Sequence, residues 1–229
     1  MRTALITGTS SGIGLQTALS LLSKGWQVIG ISRTSAYIEN ENFTEYLQDL
    51  TDINHTEILI KKLLREHSFS LLVNNAGLGY YGMCEELSLR KINEMVTTNL
   101  TVPIAITSLM MRQLKKNNGI IINISSVTAG KSNPHGAAYG ATKAGLSSFS
   151  TTIFDEARKY GIRVITIEPD MTLTNLYRNA DFEASTEESC ALDPSDVAKA
   201  IDFALDNLTI TKMVLQPQYH RIKRKDVHK

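Results

Sequence analysis

Apolar and polar residues form two kinds of block along the chain. Short apolar runs, typical of buried strands, alternate with longer segments in which apolar residues recur at helical spacing. The predicted strands are Thr3–Ile6, Gln27–Ile31, Glu45–Gln48, Phe69–Val73, Ile120–Ile124, Arg163–Ile167 and Met213–Leu215. The predicted helices are Gly12–Ser23, His55–Glu66, Leu87–Leu114, Tyr139–Tyr160 and Pro194–Leu205. This alternation predicts right-handed βαβ units, and therefore an α/β fold with a parallel sheet covered on both faces.

Two segments depart from this pattern. Residues 32–44 are too polar and too short for a full crossover helix, so we expect a reduced helix there. Residues 220–229 are basic and polar, and we expect them to form a frayed tail. Residues 1–219 are predicted to form a single domain, because 229 residues with 42% hydrophobic content suffice for one sizeable core.

Composition excludes several classes of function. A net charge of +1 argues against nucleic acid or an acidic membrane as the main partner. Cys84 and Cys190 are too few for a disulfide framework, and neither they nor the five histidines have the spacing of a metal site. The first strand starts at the N-terminus, and no uncharged apolar stretch reaches the ~20 residues of a membrane span. We therefore expect a cytoplasmic protein without a metal.

A glycine-rich segment joins the first predicted strand to the first predicted helix. It consists of Gly8, Thr9, Ser10, Ser11, Gly12, Ile13 and Gly14. Glycine lets the backbone turn sharply and approach a ligand, while the N–H groups at a helix N-terminus attract negative charge. Strand, glycine turn and helix in this order predict a site for the pyrophosphate of a dinucleotide. The alternative is a tight turn without a ligand.

Tyr139 and Lys143 are four residues apart in a predicted helix, and Ser126 lies 13 residues before Tyr139. Residues i and i+4 share a helix face, so the Lys143 ammonium is expected beside the Tyr139 ring. A nearby positive charge favours the phenolate and lowers the pKa of a tyrosine from its usual ~10. The spacing therefore predicts a proton-transfer site, although Tyr and Lys are also common on solvated helix faces.

The full set of motifs resembles the short-chain dehydrogenase/reductase family in order and in spacing. The motifs are Thr7-Gly8-x-x-x-Gly12-x-Gly14, Asn74-Asn75-Ala76-Gly77, Asn99, Ser126 and Tyr139-x-x-x-Lys143. The resemblance runs from residue 1 to about 174 and more loosely to about 217. It implies a single Rossmann-type, doubly wound parallel sheet of about seven strands in the order 3-2-1-4-5-6-7. It also implies an NAD(P)-dependent oxidoreductase that transfers a hydride to or from a carbonyl or hydroxyl carbon of a small substrate.

The resemblance further implies a catalytic tetrad of Asn99, Ser126, Tyr139 and Lys143. In this hypothesis Ser126 hydrogen-bonds the substrate oxygen and Tyr139 donates or accepts the proton. Lys143 lowers the pKa of Tyr139, holds the nicotinamide ribose and connects to Asn99 through water. Ser125 is an alternative hydroxyl, but it is one residue too far from Tyr139 for the family pattern.

Pro103 follows Asn99 by four residues within one long helical pattern. Because proline has no N–H, the Asn99 carbonyl would lack its intrahelical partner, and a kink is expected. A free carbonyl at this point could hold the water of the family's proton relay. The alternative is a kink that serves packing alone.

The end of the second strand bears on the choice of cofactor. NAD specificity usually needs an acidic residue there, but this chain has Ser32 and Arg33. A serine hydroxyl can donate to a 2′-phosphate, and a planar guanidinium can bind it through two hydrogen bonds. NADP(H) is therefore favoured over NAD(H). The alternative is that Arg33 is an ordinary surface arginine.

The resemblance places further residues near the cofactor. They are Asp49, Leu50, Asn75, Ala76, Gly77, Pro169, Thr172 and Thr174. For the Asp49 side chain a capping role at the following helix, shared with Asp52, is an equally good interpretation. Asp170 departs from the family, which usually has glycine there, and could change the charge preference near the nicotinamide.

The residues for substrate binding are the least defined by the sequence. The resemblance assigns residues 174–191 to a substrate lid, which is short here and suits small or flexible substrates. Leu78, Tyr80 and His135 are candidate wall residues. Arg178 could bind the carboxylate of a small 3-hydroxy or 3-oxo acid, or it could face solvent on a mobile loop.

Apolar residues remain on the predicted helix that begins at Tyr139. They are Ala144, Leu146, Phe149 and Ile153, and with residues 104–111 they resemble the family's four-helix dimer contact. We therefore expect a homodimer or homotetramer. Two other classes of function stay open: a non-catalytic NAD(P)-sensing regulatory protein on the same fold, and a binder of nucleic acid or anionic surfaces through residues 220–229.

Overall fold

The central sheet has seven parallel strands in the order β3-β2-β1-β4-β5-β6-β8. The computed structural model describes residues 2–187, 189–219 and 221–225. The sheet strands are β1 Thr3–Thr7, β2 Gln27–Ser32, β3 Phe43–Leu47, β4 Phe69–Asn74, β5 Ile120–Ile124, β6 Arg163–Pro169 and β8 Lys212–Leu215. The predicted fold class and strand order are confirmed. The last sheet strand is the eighth in the chain because a short strand, β7 (Phe182–Ala184), precedes it.

The helices fall where the periodicity predicted them, with shifted ends. They are α1 Gly12–Ser23, α2 Ile53–Glu66, α3 Leu89–Val96, α4 Val102–Lys116, α5 Ala137–Ala157 and α6 Pro194–Asp206. A π-helical turn, Thr97–Thr101, separates α3 from α4. Asp52 is the N-cap of α2, where its carboxylate accepts a hydrogen bond from the N–H of His55. The connection between β2 and β3 contains no helix, whereas a reduced helix was predicted there.

Both faces of the sheet are buried. Consecutive strand residues point to opposite faces, so Ile6 joins the core with α1 and α6, while Leu5 joins the core with α2 and α4. Neither Leu5 nor Ile6 is exposed to solvent. This two-sided burial explains why the strands are continuous apolar runs rather than alternating ones.

A buried polar network fixes the carboxyl ends of two central strands. The Asn74 side-chain amide donates to Thr107 (3.1 Å) and to the Asn123 side-chain carbonyl (2.7 Å). Asn123 in turn donates to the Ser150 hydroxyl at 2.7 Å. Because these bonds join β4, β5, α4 and α5, they hold the sheet edge on which the site is built.

The prediction of a frayed tail at 220–229 is wrong for its described part, 221–225. Strand β9 (Ile222–Arg224) pairs antiparallel with β7, and the register joins Phe182 to Arg224 and Ala184 to Ile222. The basic composition did not reveal this pairing, because the partner strand lies in a segment with a weak strand pattern. His220 and residues 226–229 lie outside the described part of the chain.

Candidate active site

A cleft of about 490 Å³ lies at the carboxyl edge of the sheet. It is lined by 18 of the 21 residues that the sequence predicted for catalysis and cofactor binding. They are Gly8, Ser10, Ser11, Gly12, Ile13, Ser32, Arg33, Asp49, Leu50, Asn75, Ala76, Gly77, Ser126, Tyr139, Lys143, Pro169, Thr172 and Thr174. The fold thus brings distant segments together at one site, as a doubly wound sheet does at its carboxyl edge.

Three predicted residues, Thr9, Gly14 and Asn99, do not line the cleft. Thr9 is fully buried, and its hydroxyl lies close to Gly30. Gly14 supports the turn from beneath, because a Cβ there would collide with the carbonyl oxygen of Gly8. Asn99 is fully buried behind the cleft wall. These residues shape the site without contacting its interior.

The glycine turn has the geometry and the free donors that a phosphate group needs. Gly8 and Gly12 adopt positive φ angles of 76° and 58°, which favour glycine. The N-cap residue of α1, Ser11, makes no side-chain capping bond, and the first turn of the helix contains no acidic residue. The Asn75 side-chain amide donates to the carbonyl oxygens of Thr7 and Gly8, so the turn is tied to β4. The residues present therefore fit a dinucleotide pyrophosphate.

Ser126 and Tyr139 face each other in the cleft. Ser126 caps a short turn after β5, and its hydroxyl oxygen accepts bonds from the N–H (3.2 Å) and hydroxyl (3.0 Å) of Thr128. Burial raises the pKa of the Tyr139 hydroxyl, the nearby Tyr177 raises it further, and the hydrogen bond with Ser126 lowers it. The prediction of a lowered Tyr139 pKa is therefore wrong in this structure, because desolvation outweighs the hydrogen bond.

The Lys143 ammonium is buried and hydrogen-bonded to the chain. It donates to the carbonyl oxygen of Ile124 at 2.8 Å and lies 5.8 Å from the centroid of the Tyr139 ring. Burial lowers the pKa of Lys143 to about 8. A Cβ added to Gly77 would lie 3.6 Å from the ammonium, so only a short side chain fits there. Lys143 thus lies between Tyr139 and the part of the cleft wall that contains Gly77.

Asn99 lies in the π-helical turn, two residues before its end. Its side chain makes three hydrogen bonds: Oδ1 accepts from the N–H of Leu78, and Nδ2 donates to the Leu78 carbonyl and to the Thr142 hydroxyl. The predicted irregularity near Pro103 is present as this π turn, a feature common at functional sites. The contact with Thr142 had no signal in the sequence.

A carboxylate that the sequence did not reveal, Glu45, lies next to the cleft residue Ser32. The Ser32 hydroxyl donates to the Thr34 carbonyl (2.7 Å) and faces Glu45 Oε1 at 3.3 Å. Glu45 also accepts from the N–H of Ala36 and so holds the loop after β2. Since Ser32 is engaged within the chain, Arg33, which is exposed and lines the cleft, is the residue there with free charge for a phosphate.

Asp49 and Asp170 both line the cleft and are both restrained. Asp49 accepts from the N–H and the hydroxyl of Thr51 in the turn before α2, while the helix N-cap is Asp52, so the capping alternative is wrong for Asp49. Asp170 accepts from Met171 N–H and Gln216 and lies 3.6 Å from the Lys131 ammonium. These partners disperse the charge of Asp170.

The substrate end of the cleft differs from the prediction. Leu78 and Arg178 line it as expected, together with Tyr177, but Tyr80 and His135 do not. Tyr80 turns away because its hydroxyl donates to Glu94 at 2.8 Å. The backbone of His135 is left-handed (φ 62°) and its carbonyl accepts from Gly82 N–H.

Tyr81 and Phe182 do not line the cleft but pack behind two residues that do, Tyr139 and Tyr177. The Tyr81 ring lies 5.6 Å from the Tyr139 ring and 5.1 Å from the Phe182 ring, centroid to centroid. Tyr81 directly follows the predicted wall residue Tyr80, so the sequence indicated the correct segment but not the residue that packs against Tyr139. Phe182 had no signal, because its position depends on the pairing of β7 with β9.

The described residues contain no cluster of three or more His, Cys, Asp or Glu side chains that could hold a metal ion. Across the same part of the chain, no helix combines the length and the apolar character required to cross a bilayer.

Comparisons with known proteins agree with this geometry. The family model of short chain dehydrogenases matches residues 2–184. A serine 3-dehydrogenase of Agrobacterium fabrum is 36% identical over 180 residues, which cover 75% of this chain and 72% of that protein. The 3-oxoacyl-(acyl-carrier-protein) reductase FabG of Buchnera aphidicola is 33% identical over 183 residues, covering 76% and 75%. The structure of an alcohol dehydrogenase from Thermococcus sibiricus complexed with 5-hydroxy-NADP has a TM-score of 0.87 at 25% identity, covering 96% and 98%.

Proposed function

The chain belongs to the short-chain dehydrogenase family, and on that premise we propose that it is an NADP(H)-dependent oxidoreductase acting on small 3-hydroxy or 3-oxo acids. One observation carries this proposal: Ser126, Tyr139 and Lys143 line the same cleft as the glycine turn. A reacting carbon and a dinucleotide can therefore meet at one site. The relatives named above are enzymes, so nothing favours the regulatory alternative.

The Tyr139 hydroxyl is the proton donor for carbonyl reduction. A tyrosine hydroxyl is protonated at neutral pH, since even a free tyrosine titrates near ~10, so it has a proton to donate. Ser126 offers a hydroxyl beside it, which hydrogen-bonds the substrate oxygen and stabilises its developing negative charge. In the reverse direction the same tyrosine accepts the proton from the substrate hydroxyl, and the Lys143 ammonium favours the phenolate that this step requires.

NADP(H) supplies or accepts the hydride when it is bound. The turn from Gly8 to Ile13 would hold its pyrophosphate, and Arg33 would bind the 2′-phosphate. Lys143 and Gly77 would lie beside the nicotinamide ribose, and the ammonium, besides its bond to the Ile124 carbonyl, would donate to the ribose hydroxyls. Glu45 disfavours additional negative charge beside Ser32, so the preference for NADP(H) depends on Arg33.

The substrate class follows from the charge at the open end of the cleft. Arg178 lines this end on the short helical turn Asn175–Asn179 and is exposed, so its guanidinium is available to a carboxylate. Tyr177 lines this end beside Arg178, and the short lid of residues 174–191 suits a short carbon chain better than a large ring system. The resemblance to a serine 3-dehydrogenase supports a small 3-hydroxy acid as substrate.

The test is a comparison of charged and neutral substrates. NADP⁺ reduction is measured with L-serine, with 3-hydroxybutyrate and with methyl 3-hydroxybutyrate, for the wild type and for Arg178→Ala. We expect Arg178→Ala to lose kcat/KM for the acids and to retain it for the ester. Equal losses on acid and ester, or no loss on either, would refute the carboxylate contact. No turnover of any hydroxy acid or 3-oxo acid would refute the substrate class.

We also propose that the chain forms a homodimer through α4 and α5. Ile104 is 37% exposed, and Phe149 and Ile153 are partly exposed, so apolar surface remains on these helices. Leu146, predicted to belong to this surface, is instead buried within the chain. Light scattering at micromolar concentration tests the dimer, and a monomer would contradict it.

A further inference from the structure

The C-terminal residues 221–225 lie along the predicted substrate lid, residues 174–191. Strand β9 pairs with β7 from that segment. Two ion pairs accompany the strand pairing, Arg221 with Glu187 at 2.6 Å and Lys223 with Glu183 at 3.0 Å. Both pairs are largely exposed and contribute little to stability. The strand pairing and its ion pairs therefore do not by themselves connect residues 221–225 to the active site.

Unlike Arg221 and Lys223, Lys225 forms hydrogen bonds at the end of the helical turn that carries Tyr177 and Arg178. Its backbone N–H donates to the carbonyl of Asp181 at 2.8 Å. Its ammonium donates to the carbonyl of Tyr177 at 2.8 Å and to that of Ala180 at 3.0 Å. Lys225 is partly buried, whereas residues 221–224 are exposed. One side chain thus binds two carbonyls at the end of the short turn: that of Ala180, and that of Tyr177, which also accepts from the N–H of Ala180 at 3.0 Å.

The helical turn Asn175–Asn179 is connected to Tyr139 through contacts between aromatic rings. Tyr177 lies 5.5 Å from Phe182 and 6.0 Å from Tyr81, centroid to centroid. Tyr81 in turn lies 5.6 Å from Tyr139. Tyr139 and Tyr177 line the cleft, and Tyr81 packs behind them.

The start of the helical turn, at Thr174, lies next to Gly12 of the glycine turn, whereas Lys225 holds the opposite end. A change at the end held by Lys225 should therefore alter the substrate wall more than the pyrophosphate site.

We infer that Lys225 is a positioning residue for the substrate wall: by holding the carbonyls of Tyr177 and Ala180, it keeps Tyr177 and Arg178 at the cleft. This inference rests on the proposed function for its kinetic consequence only. Residues 221–225 would then affect the affinity for substrate through Lys225. A binding surface for nucleic acid, the alternative noted for residues 220–229, would need these lysines free, but Lys223 and Lys225 are both engaged with the lid segment.

The experiment compares Lys225→Met with Lys223→Met, two variants that remove the same charge from the same tail. Methionine fills similar space but cannot donate to a carbonyl. We expect Lys225→Met to raise the substrate KM about ten-fold, since charge-assisted hydrogen bonds contribute at least a decade in an equilibrium constant. The NADPH Kd should stay unchanged, and Lys223→Met should match the wild type. Lys225→Arg, which keeps charged donors, should restore KM to within about three-fold.

Hydrogen–deuterium exchange provides a readout that does not need activity. Backbone amides of residues 175–184 should exchange faster in Lys225→Met than in Lys223→Met, while those of β1 and β4 stay equally protected. If both variants exchange alike in 175–184, the positioning role is refuted, whatever the enzyme turns over. If exchange rises as expected but no 3-hydroxy or 3-oxo acid is turned over by the wild type, the proposed substrate class fails and the positioning role stands.

Discussion

Asn99 holds the backbone of Leu78 at both of its polar groups. Its side-chain carbonyl accepts from the Leu78 N–H at 2.9 Å, and its side-chain amide donates to the Leu78 carbonyl at 2.9 Å. Leu78 is 4% exposed, so water cannot easily replace either bond. The loop after β4, which lines the cleft through Gly77 and Leu78, is thus fixed to the π turn. A residue predicted to act in a proton relay therefore also has a structural role.

Asn99→Ala should lower the free energy of unfolding by about 2–4 kcal/mol, because it leaves the buried N–H and carbonyl of Leu78 without partners and removes the bond to Thr142. Urea denaturation measures this loss. Asn74→Ala is the control for general destabilisation, since Asn74 is a buried asparagine whose side chain makes two hydrogen bonds and does not line the cleft. We expect comparable destabilisation in both variants and weaker NADPH binding in Asn99→Ala alone. Equal NADPH affinity in the two variants would contradict the coupling between Asn99 and the cleft wall.

Tyr139→Phe should reduce kcat by about 10²–10⁴-fold, since it removes the proton donor while keeping the buried ring. NADPH binding should stay close to that of the wild type. Tyr160→Phe is the control, because Tyr160 is 45% exposed and lies at the end of the same helical segment. Initial rates at saturating NADPH give the comparison. More than about a tenth of the wild-type activity in Tyr139→Phe would exclude the tyrosine as the essential acid.

The parts of this molecule that depend on short-range sequence patterns were predictable. The strands of the sheet are continuous apolar runs because both faces are buried, and the glycine turn between β1 and α1 needs positive φ at Gly8 and Gly12. Residues separated by more than 100 positions, such as Gly12 and Thr174, meet because parallel strands end at one edge. The order of the strands therefore determines which residues come together at most of the site.

The features that were not predicted depend on contacts between segments whose own hydrophobic patterns are weak. Nothing in the three residues of β7 or β9 indicates pairing, because strands this short have little propensity signal and are stabilised by each other. The pKa of Tyr139 was predicted in the wrong direction because the i+4 spacing reveals a neighbouring charge but not the depth of burial. Glu45 was missed because its relation to Ser32 is a cross-strand one.

Arg33→Ala should raise the KM for NADPH by about ten-fold or more and leave the KM for NADH nearly unchanged. A guanidinium–phosphate contact is charge-assisted, and only NADPH carries the 2′-phosphate. Arg65→Ala, which removes an exposed arginine from the end of α2, is the control for the change in net charge. Initial rates are measured with both cofactors for all three proteins. A wild type that uses both cofactors equally well, together with an Arg33→Ala variant unchanged on either, would show that the chain does not select NADP(H) through this residue.

Lys143 should make the stability of the protein depend on pH in the alkaline range. Burial lowers its pKa to about 8, whereas an unfolded lysine titrates near 10.5. Below pH 8 the ammonium is charged in both states, so the full cost of burying it opposes folding. Between these pH values the unfolded chain binds the additional proton, and the free energy of unfolding therefore rises with pH. The total gain is about 3 kcal/mol at ~1.4 kcal/mol per pKa unit.

The measurement is urea denaturation at pH 7, 8, 9 and 10 for the wild type, Lys143→Met and Lys199→Met. The unfolding free energy of the wild type should rise relative to Lys143→Met as the pH increases, since methionine does not titrate. Taking the difference between the two proteins cancels the groups they share, including the buried tyrosines whose pKa values are raised. Lys199 is 74% exposed at its side chain, so Lys199→Met should follow the wild type at every pH. If the difference between the wild type and Lys143→Met stays constant from pH 7 to pH 10, the ammonium does not bear a burial cost, and Lys143 would then remain charged throughout the range in which the enzyme works.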